Sequence, residues 1–182
     1  FMVVLKFGGT SVANAQNMVR VRDIIEDAAR KEPVVVVVSA AGGITDALIL
    51  CAERAAAGDE SFRESLNRVE TRHLSIVQEL MPLDRQSSLL SAIKKMNNEL
   101  DEICNGVFLL GELSGRARDR IISYGELMSS RIITATCQIK NLDAVWLDAR
   151  KSIVTDSTFG AAAVNYDQSF SRIRKQVDEH PA

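Results

Sequence analysis

Apolar positions recur along the chain with two different periods. Residues 2–7 are apolar except for Lys6, and residues 34–38 are five consecutive valines. Runs of β-branched residues without polar alternation suit strands covered on both faces, as in a parallel sheet. Between them, Met18, Val21, Ile25 and Ala28 recur at spacings of three and four, which predicts a helix over 12–31 ended by Pro33. Ser39 to Gly43 then turns the chain into a second helix over 44–57. Strand, helix, strand, helix predicts an α/β fold, an open and mostly parallel sheet with helices on both faces.

The middle of the chain keeps only the helical period. Phe62, Leu66, Val69, His73, Ile76 and Leu80 form one stripe; Leu89, Ile93, Met96, Leu100 and Ile103 form another beyond Pro82. Two such helices predict an antiparallel hairpin packed along a narrow seam. The hairpin reads as an insertion on the α/β body over about residues 60–105, serving packing or subunit contact. His73 lies on that seam and reads as a packed histidine, since no second ligand accompanies it. Gly106 to Gly115 reads as a break. A long helix is expected over 116–140, with an interruption near Ser123. Residues 143–148 (DAVWLD) then predict a third strand, Ile153-Val154 a short further one, and 166–179 a closing helix that buries Phe170, Ile173 and Val177. The sequence stops just after that helix, where an α/β chain would enter its next strand, so it is expected to be the N-terminal lobe of a longer protein.

Composition narrows the classes of function. A net charge of −2 gives no electrostatic case for nucleic acid or an acidic membrane surface. No apolar run reaches the roughly 20 residues of a membrane span, and a signal peptide's basic start is missing. Cys51, Cys104 and Cys137 are an odd set without a C-x-x-C pair, expected as free thiols in a reducing cytoplasm. With only His73 and His180, a histidine-based metal centre is not expected.

Candidate chemistry gathers where strands end. Lys6 is followed by Gly8-Gly9, then Thr10-Ser11 and a helix. Glycine amides form a concave anion site, and the helix start points its positive end toward the same place. Alone, Lys6 would be a strand-end lysine snorkelling into solvent; beside two glycines it reads as a phosphate contact. The pattern is neither a Walker A loop nor a dinucleotide fingerprint. Ser39 and Gly42-Gly43 make a second small-residue turn, read either as a plain strand-to-helix connection capped by Thr45 or as part of the same site. Parallel pairing would bring Lys6, Ser39 and Asp148 to one sheet edge. Glu126 is a carboxylate beside a glycine among apolar residues. It is either an ordinary solvated helix glutamate or one that needs a cationic partner. Arg131 is a candidate to steady Glu126; Arg150 and Lys151 read as a solvated basic pair, and Phe159-Gly160 as a turn beside the same site.

KFGGTSV at 6–12, SAAGGIT at 39–45 and SYGELMS at 123–129 resemble the three N-terminal signatures of aspartate kinases, and DARKSIVTDSTFG at 148–160 fits the same pattern. Order and spacing match over essentially the whole chain. The resemblance implies a three-layer αβα amino-acid kinase-like lobe and ATP-dependent phosphorylation of the L-aspartate side chain to 4-aspartyl phosphate. It implies that Lys6 is catalytic and bridges the β- and γ-phosphates. Gly8, Gly9, Thr10 and Ser39 would line the phosphates, while Ser39, Thr45 and Glu126 would line the substrate, with Glu126 on its α-ammonium. Mg²⁺ would be held mainly through the nucleotide phosphates. A homo-oligomer is expected for the full-length parent, in monofunctional members or in those fused to homoserine dehydrogenase. Two other readings stay open: a kinase acting on glutamate or acetylglutamate, and a lobe that serves only as an association module. Family members keep the adenosine site and a GRGGSD segment in the next lobe, and GRGG does not occur here. The chain alone is therefore expected to bind ATP weakly or not at all and to turn nothing over.

Overall fold

The structure, a computed structural model, describes residues 2–179; residues 180–182, part of the stretch read as an abrupt end, lie outside the described residues. Strand β1 (Val3–Phe7) pairs in parallel with β2 (Val34–Val38), in a register that sets Val3 opposite Val34 and Lys6 opposite Val37. Helix α1 (Ala15–Ala29) makes the crossover. It starts where the Asn14 side chain accepts the Asn17 N–H, and it buries Met18, Val21 and Ile25. Leu5, Phe7, Val36 and Val38 join the helical core, while Val4 and Val37 alternate to the other side of the sheet, 65% and 46% exposed. Helix α2 (Ile44–Ala56) follows β2.

Helices α3 (Phe62–Leu80) and α4 (Gln86–Leu110) form the expected hairpin, and α5 (Gly115–Ile139) packs with α2, α3 and α4 around one core. Leu48, Ile93, Leu100 and Met128 are fully buried there, each contributing about 1.5–3 kcal/mol of transfer free energy. The buried stripe of α4 is Leu89, Ile93, Asn97, Leu100, Cys104 and Val107, with Met96 and Ile103 at its margin. Cys51, Cys104 and Cys137 are free and buried. No described helix is long and apolar enough to cross a membrane.

Several local expectations change. Gly106 does not break α4, because Val107 enters the core and the Phe108 ring packs 5.3 Å from that of Phe62. The helix stops at Gly111, whose φ of 64° is the left-handed conformation that glycine tolerates best. Helix α5 runs through Ser123 uninterrupted, that hydroxyl bonding the Arg120 carbonyl one turn back. Residues 143–148 do not form a third strand. They are irregular, with Ala144 and Trp146 partly buried between exposed neighbours, and have no ladder partner among the described residues. Side chains hold them instead: Gln138 bonds the Ala144 carbonyl and Trp146 Nε1 bonds Ser130 Oγ. Around Ile153-Val154 there is only an isolated antiparallel bridge between Thr155 and Val164. Helix α6 (Tyr166–Glu179) forms, yet Phe170 is 61% exposed, its ring tilted against that of Tyr166, and the buried residue is Ser169, bonded to Val154. Ile173 and Val177 are half-buried.

His73 is fully buried, its Nδ1 within 2.8 Å of the Val69 carbonyl, while Nε2 has no partner among the described residues. Burial holds this imidazole below its ordinary pKa, with Arg72 acting in the same direction. The unfolded chain therefore binds the proton more readily than the folded one. The stabilising preference for neutral histidine is present above the unfolded value, about 6.5, and is lost as pH falls through the lower folded value. Urea unfolding from pH 8 to pH 5 is expected to show stability falling with pH, with a smaller fall in His73→Leu. Ile93→Ala is expected to cost about 2–5 kcal/mol in the same measurement, whereas Leu83→Ala, at a residue 88% exposed, stays within about 0.5 kcal/mol of the parent.

Candidate functional site

The two glycine loops meet at the tips of the parallel strands. Gly8 is extended (ψ 171°) and Gly9 opens a short 3₁₀ turn, Gly9–Val12. A side chain at Gly9 would place its Cβ 3.0 Å from the Ala40 carbonyl oxygen and 3.6 Å from Gly42 Cα. The Ser39 N–H closes the pair of tips by donating to the Phe7 carbonyl at 3.0 Å. Among the described residues, the N–H groups of Gly8, Gly9, Gly42 and Gly43 donate to no protein acceptor. That leaves a concentration of unpaired donors beside Lys6, which is exposed one residue before the end of β1. Helix α2 adds its N-terminus through its cap residue Gly43, whose φ of 80° lies in the left-handed region. Thr45, half-buried in the first turn, does not cap that helix, contrary to the plain-connection reading. Such a set of bare amides, a helix start and an ammonium is suited to an anion with several oxygens.

Helix α5 reaches the same place from the other side. A Cβ at Gly125 would lie 2.6 Å from Ala40 Cβ and 3.3 Å from Ile44 Cγ2, so the helix can approach the loop this closely only without a side chain there. The approach sets Glu126 Oε1 3.2 Å from the Ala40 N–H. Glu126 is exposed, and among the described residues its Oε2 has no hydrogen-bond partner, so one oxygen is held and the other is available to a cation. Glu126 is thus neither buried among apolar neighbours nor a free helix glutamate.

Gly8, Gly9, Ser39 and Glu126 are gathered at this edge, with Lys6 one residue before the end of β1 and Thr45 in the first turn of α2. Thr10 is exposed in the turn after Gly9, and its carbonyl accepts from the Asn17 side chain. Asp148 is not the tip of a third strand. Its carboxylate caps the 3₁₀ turn Ala149–Lys151 and binds the Arg150 guanidinium at 2.6 Å, which holds the carboxyl below the usual carboxylate range. No described contact links it to Lys6 or Ser39. Arg150 is therefore a paired cation and not half of a solvated basic pair. Arg131 lies over the Trp146 ring at 5.0 Å and does not bond Glu126. Phe159-Gly160 packs on the start of α5, where Gly160 N–H donates to Asp119; from Gly115 to Glu126 along the helix is about 16 Å.

Two residues at the site were not singled out from the sequence. Arg72 of α3 donates to the Ala13 carbonyl at 3.0 Å, and its guanidinium would lie 3.8 Å from a Cβ at Gly43, which adds a second cation beside the glycine loops. Ser129, fully buried, donates to the Ser39 carbonyl at 2.8 Å. The spacing of SYGELMS puts Ser129 one turn after Glu126, which was a usable hint; nothing local ties Arg72 to a loop 59 residues away. Lys6, Thr10 and Glu126 are exposed at the site. A groove of about 360 Å³ elsewhere, between α4 and α5, is lined by Met81, Leu89 and Gln138 and contains none of these residues.

The profile described as "Amino acid kinase family" matches residues 1–181. The bifunctional aspartokinase/homoserine dehydrogenase 1 of Arabidopsis thaliana chloroplasts is 29% identical over 97% of this chain and 19% of its own length. The lysine-sensitive aspartokinase 3 of Escherichia coli is 32% identical over 88% of this chain and 34% of its own. Among solved structures, E. coli aspartokinase III in complex with aspartate and ADP superposes with a TM-score of 0.87 at 28% identity, covering 97% of this chain and 38% of that one. The chain thus spans between 19% and 38% of these relatives. The small parallel sheet with its surrounding helices is the α/β fold of those neighbours, in keeping with a three-layer αβα lobe.

Gly125→Ala is expected to push α5 off the Ala40 loop and to cost about 1–3 kcal/mol by overpacking, measured by urea unfolding. Gly8→Ala, where a Cβ meets nothing within 4 Å, is expected to leave the unfolding midpoint near that of the parent.

Proposed function

Since the chain belongs to the amino acid kinase family, we propose that it forms the phosphate-holding and ammonium-holding part of an aspartate kinase, which transfers the terminal phosphoryl group of ATP to the side-chain carboxylate of L-aspartate. The observation that carries this reading is the meeting of a cationic anion cradle and a half-free carboxylate at one strand edge. L-Aspartate offers the matching groups, an ammonium for Glu126 and a carboxylate facing the phosphoryl group. The E. coli neighbour bound to aspartate and ADP supports the same pairing.

In this reading the substrate carboxylate is already a nucleophile at neutral pH, so no residue need act as general base. The difficulty is an anion approaching an anion, and the chain's contribution is charge and alignment. Lys6 neutralises the β- and γ-phosphates, and the amides of Gly8 and Gly9, with Thr10 and Ser39 alongside, hold the phosphoryl oxygens. Thr45 and Ser39 orient the amino acid, whose ammonium is held by the free oxygen of Glu126. An oxygen of the side-chain carboxylate forms the new bond to the γ-phosphorus as the bond to the β-bridging oxygen breaks, giving 4-aspartyl phosphate and ADP. Mg²⁺ arriving with the nucleotide supplies further positive charge on the phosphates when bound. We carry with this reading a cytoplasmic place of work and no turnover by the chain alone.

The test is to graft residues 2–179 in place of the matching segment of the E. coli lysine-sensitive aspartokinase, verify folding by circular dichroism, and measure hydroxamate formation with L-aspartate, L-glutamate and N-acetylglutamate. Activity on L-aspartate is expected, with Lys6→Ala lowering kcat about 100-fold or more, as for loss of one preorganised electrostatic contact. A folded graft that prefers either of the other two acids would overturn the aspartate assignment. Full Lys6→Ala activity would overturn the role of the lysine. Strong aspartyl phosphate production by the ungrafted chain would overturn the view that it holds only part of the site.

A further inference from the structure

Hydroxyl side chains inside helices ordinarily bond a carbonyl of their own preceding turn. Helix α5 follows that habit: Ser123 bonds Arg120, Ser130 bonds Leu127, Thr134 bonds Ser130 and Thr136 bonds Ile132. Ser129 departs from it. Its Oγ lies 3.2 Å from the Glu126 carbonyl in its own helix but 2.8 Å from the Ser39 carbonyl at the tip of β2. A hydroxyl has one proton to give, and the shorter contact leads out of the helix. The residue is fully buried, so water does not compete for that bond.

The carbonyl it holds belongs to the same planar peptide as the Ala40 N–H, the group that Glu126 Oε1 accepts at 3.2 Å. One rigid peptide unit is therefore gripped at both ends by two residues of α5 three positions apart. Its rotation would break both bonds at once, and Gly125, just before Glu126 and in contact with Ala40, keeps the helix near enough for both to form. We propose that Ser129 is a positioning residue of this site: it locks the Ser39–Ala40 peptide so that Ala40 anchors one oxygen of Glu126 and leaves the other aimed at the substrate's ammonium. In its functional half, the inference rests on the aspartate reading above. Ser129 itself touches no substrate; it acts through the peptide.

The experiment uses the isotopically labelled 182-residue chain, its Ser129→Ala variant and Ser129→Cys, which keeps similar volume and a weak donor. Hydrogen exchange of individual amides is followed by NMR, and L-aspartate binding is measured by calorimetry on the graft of residues 2–179 into the E. coli aspartokinase, with and without the same substitutions. In Ser129→Ala the Ala40 amide is expected to exchange about tenfold faster, the net worth of one hydrogen bond, while the Met128 and Ile132 amides keep their protection. Aspartate affinity is expected to fall by a similar factor, with Ser129→Cys between the two. An unchanged Ala40 exchange rate would overturn the proposal, as would loss of protection spread evenly over α5, which would make Ser129 general scaffold. If the parent graft fails to bind aspartate, the substrate reading falls, whereas the Ala40 exchange rates of the chain still decide whether the peptide is held by Ser129.

Discussion

Everything at the strand tips depends on how closely α5 lies against the loop after β2. The distance is set by a missing atom group: a methyl at Gly125 would lie 2.6 Å from the Ala40 methyl, well inside van der Waals contact. Because that side chain is absent, a helix that otherwise belongs to the core can place Glu126 beside a backbone N–H and Ser129 beside a backbone carbonyl. A second close approach works alike on the other side, where Gly9 faces the Ala40 carbonyl. The Ala40 segment is thus held between two glycine contacts, and the charged groups lie around its margin. Tight packing of backbone, rather than any ion pair, aligns the site.

Which parts of this were legible in the sequence follows from which interactions are local. Helices α1, α2, α3 and α5 announce themselves by spacing, because each buries one stripe and the stripe is written into nearby residues. The glycine loops and Glu126 were legible as motifs, since small residues at strand ends carry a meaning independent of what packs on them. Segment 143–148 shows the opposite case. Its period of two is real and governs which side chains turn toward α5, but a strand also requires a neighbouring backbone, and no local pattern reveals one. Asp148 followed the same error, since its expected position was inherited from that strand. It is instead absorbed by Arg150 two residues on.

Gly106 and Gly111 make the same point within one helix. Both are glycines near the end of an apolar stripe, yet the helix passes the first and stops at the second. The difference lies outside the helix: Val107 and Phe108 have partners in the core, whereas Leu109 and Leu110 are 82% and 81% exposed. Tertiary burial outweighs the roughly 1 kcal/mol that glycine costs inside a helix. Arg72 was illegible for a related reason, as its partner carbonyl comes from the turn before α1 and its own helix gives no sign of it.

Charge placement explains why an edge so well furnished with donors is still only part of a catalytic centre in the proposed reading. Lys6 and Glu126 are exposed. Two unit charges at 4 Å interact by about 1 kcal/mol in bulk water and by about 4 kcal/mol at the effective dielectric near a protein surface. A phosphoryl clamp needs roughly 3 kcal/mol or more from such a contact, which the wet limit does not supply. The same lysine, amides and carboxylate gain that strength once a covering surface excludes water from the strand tips, with no change in their own positions. The backbone contacts at Ala40 fix the geometry in advance, so covering the edge need only lower the local dielectric.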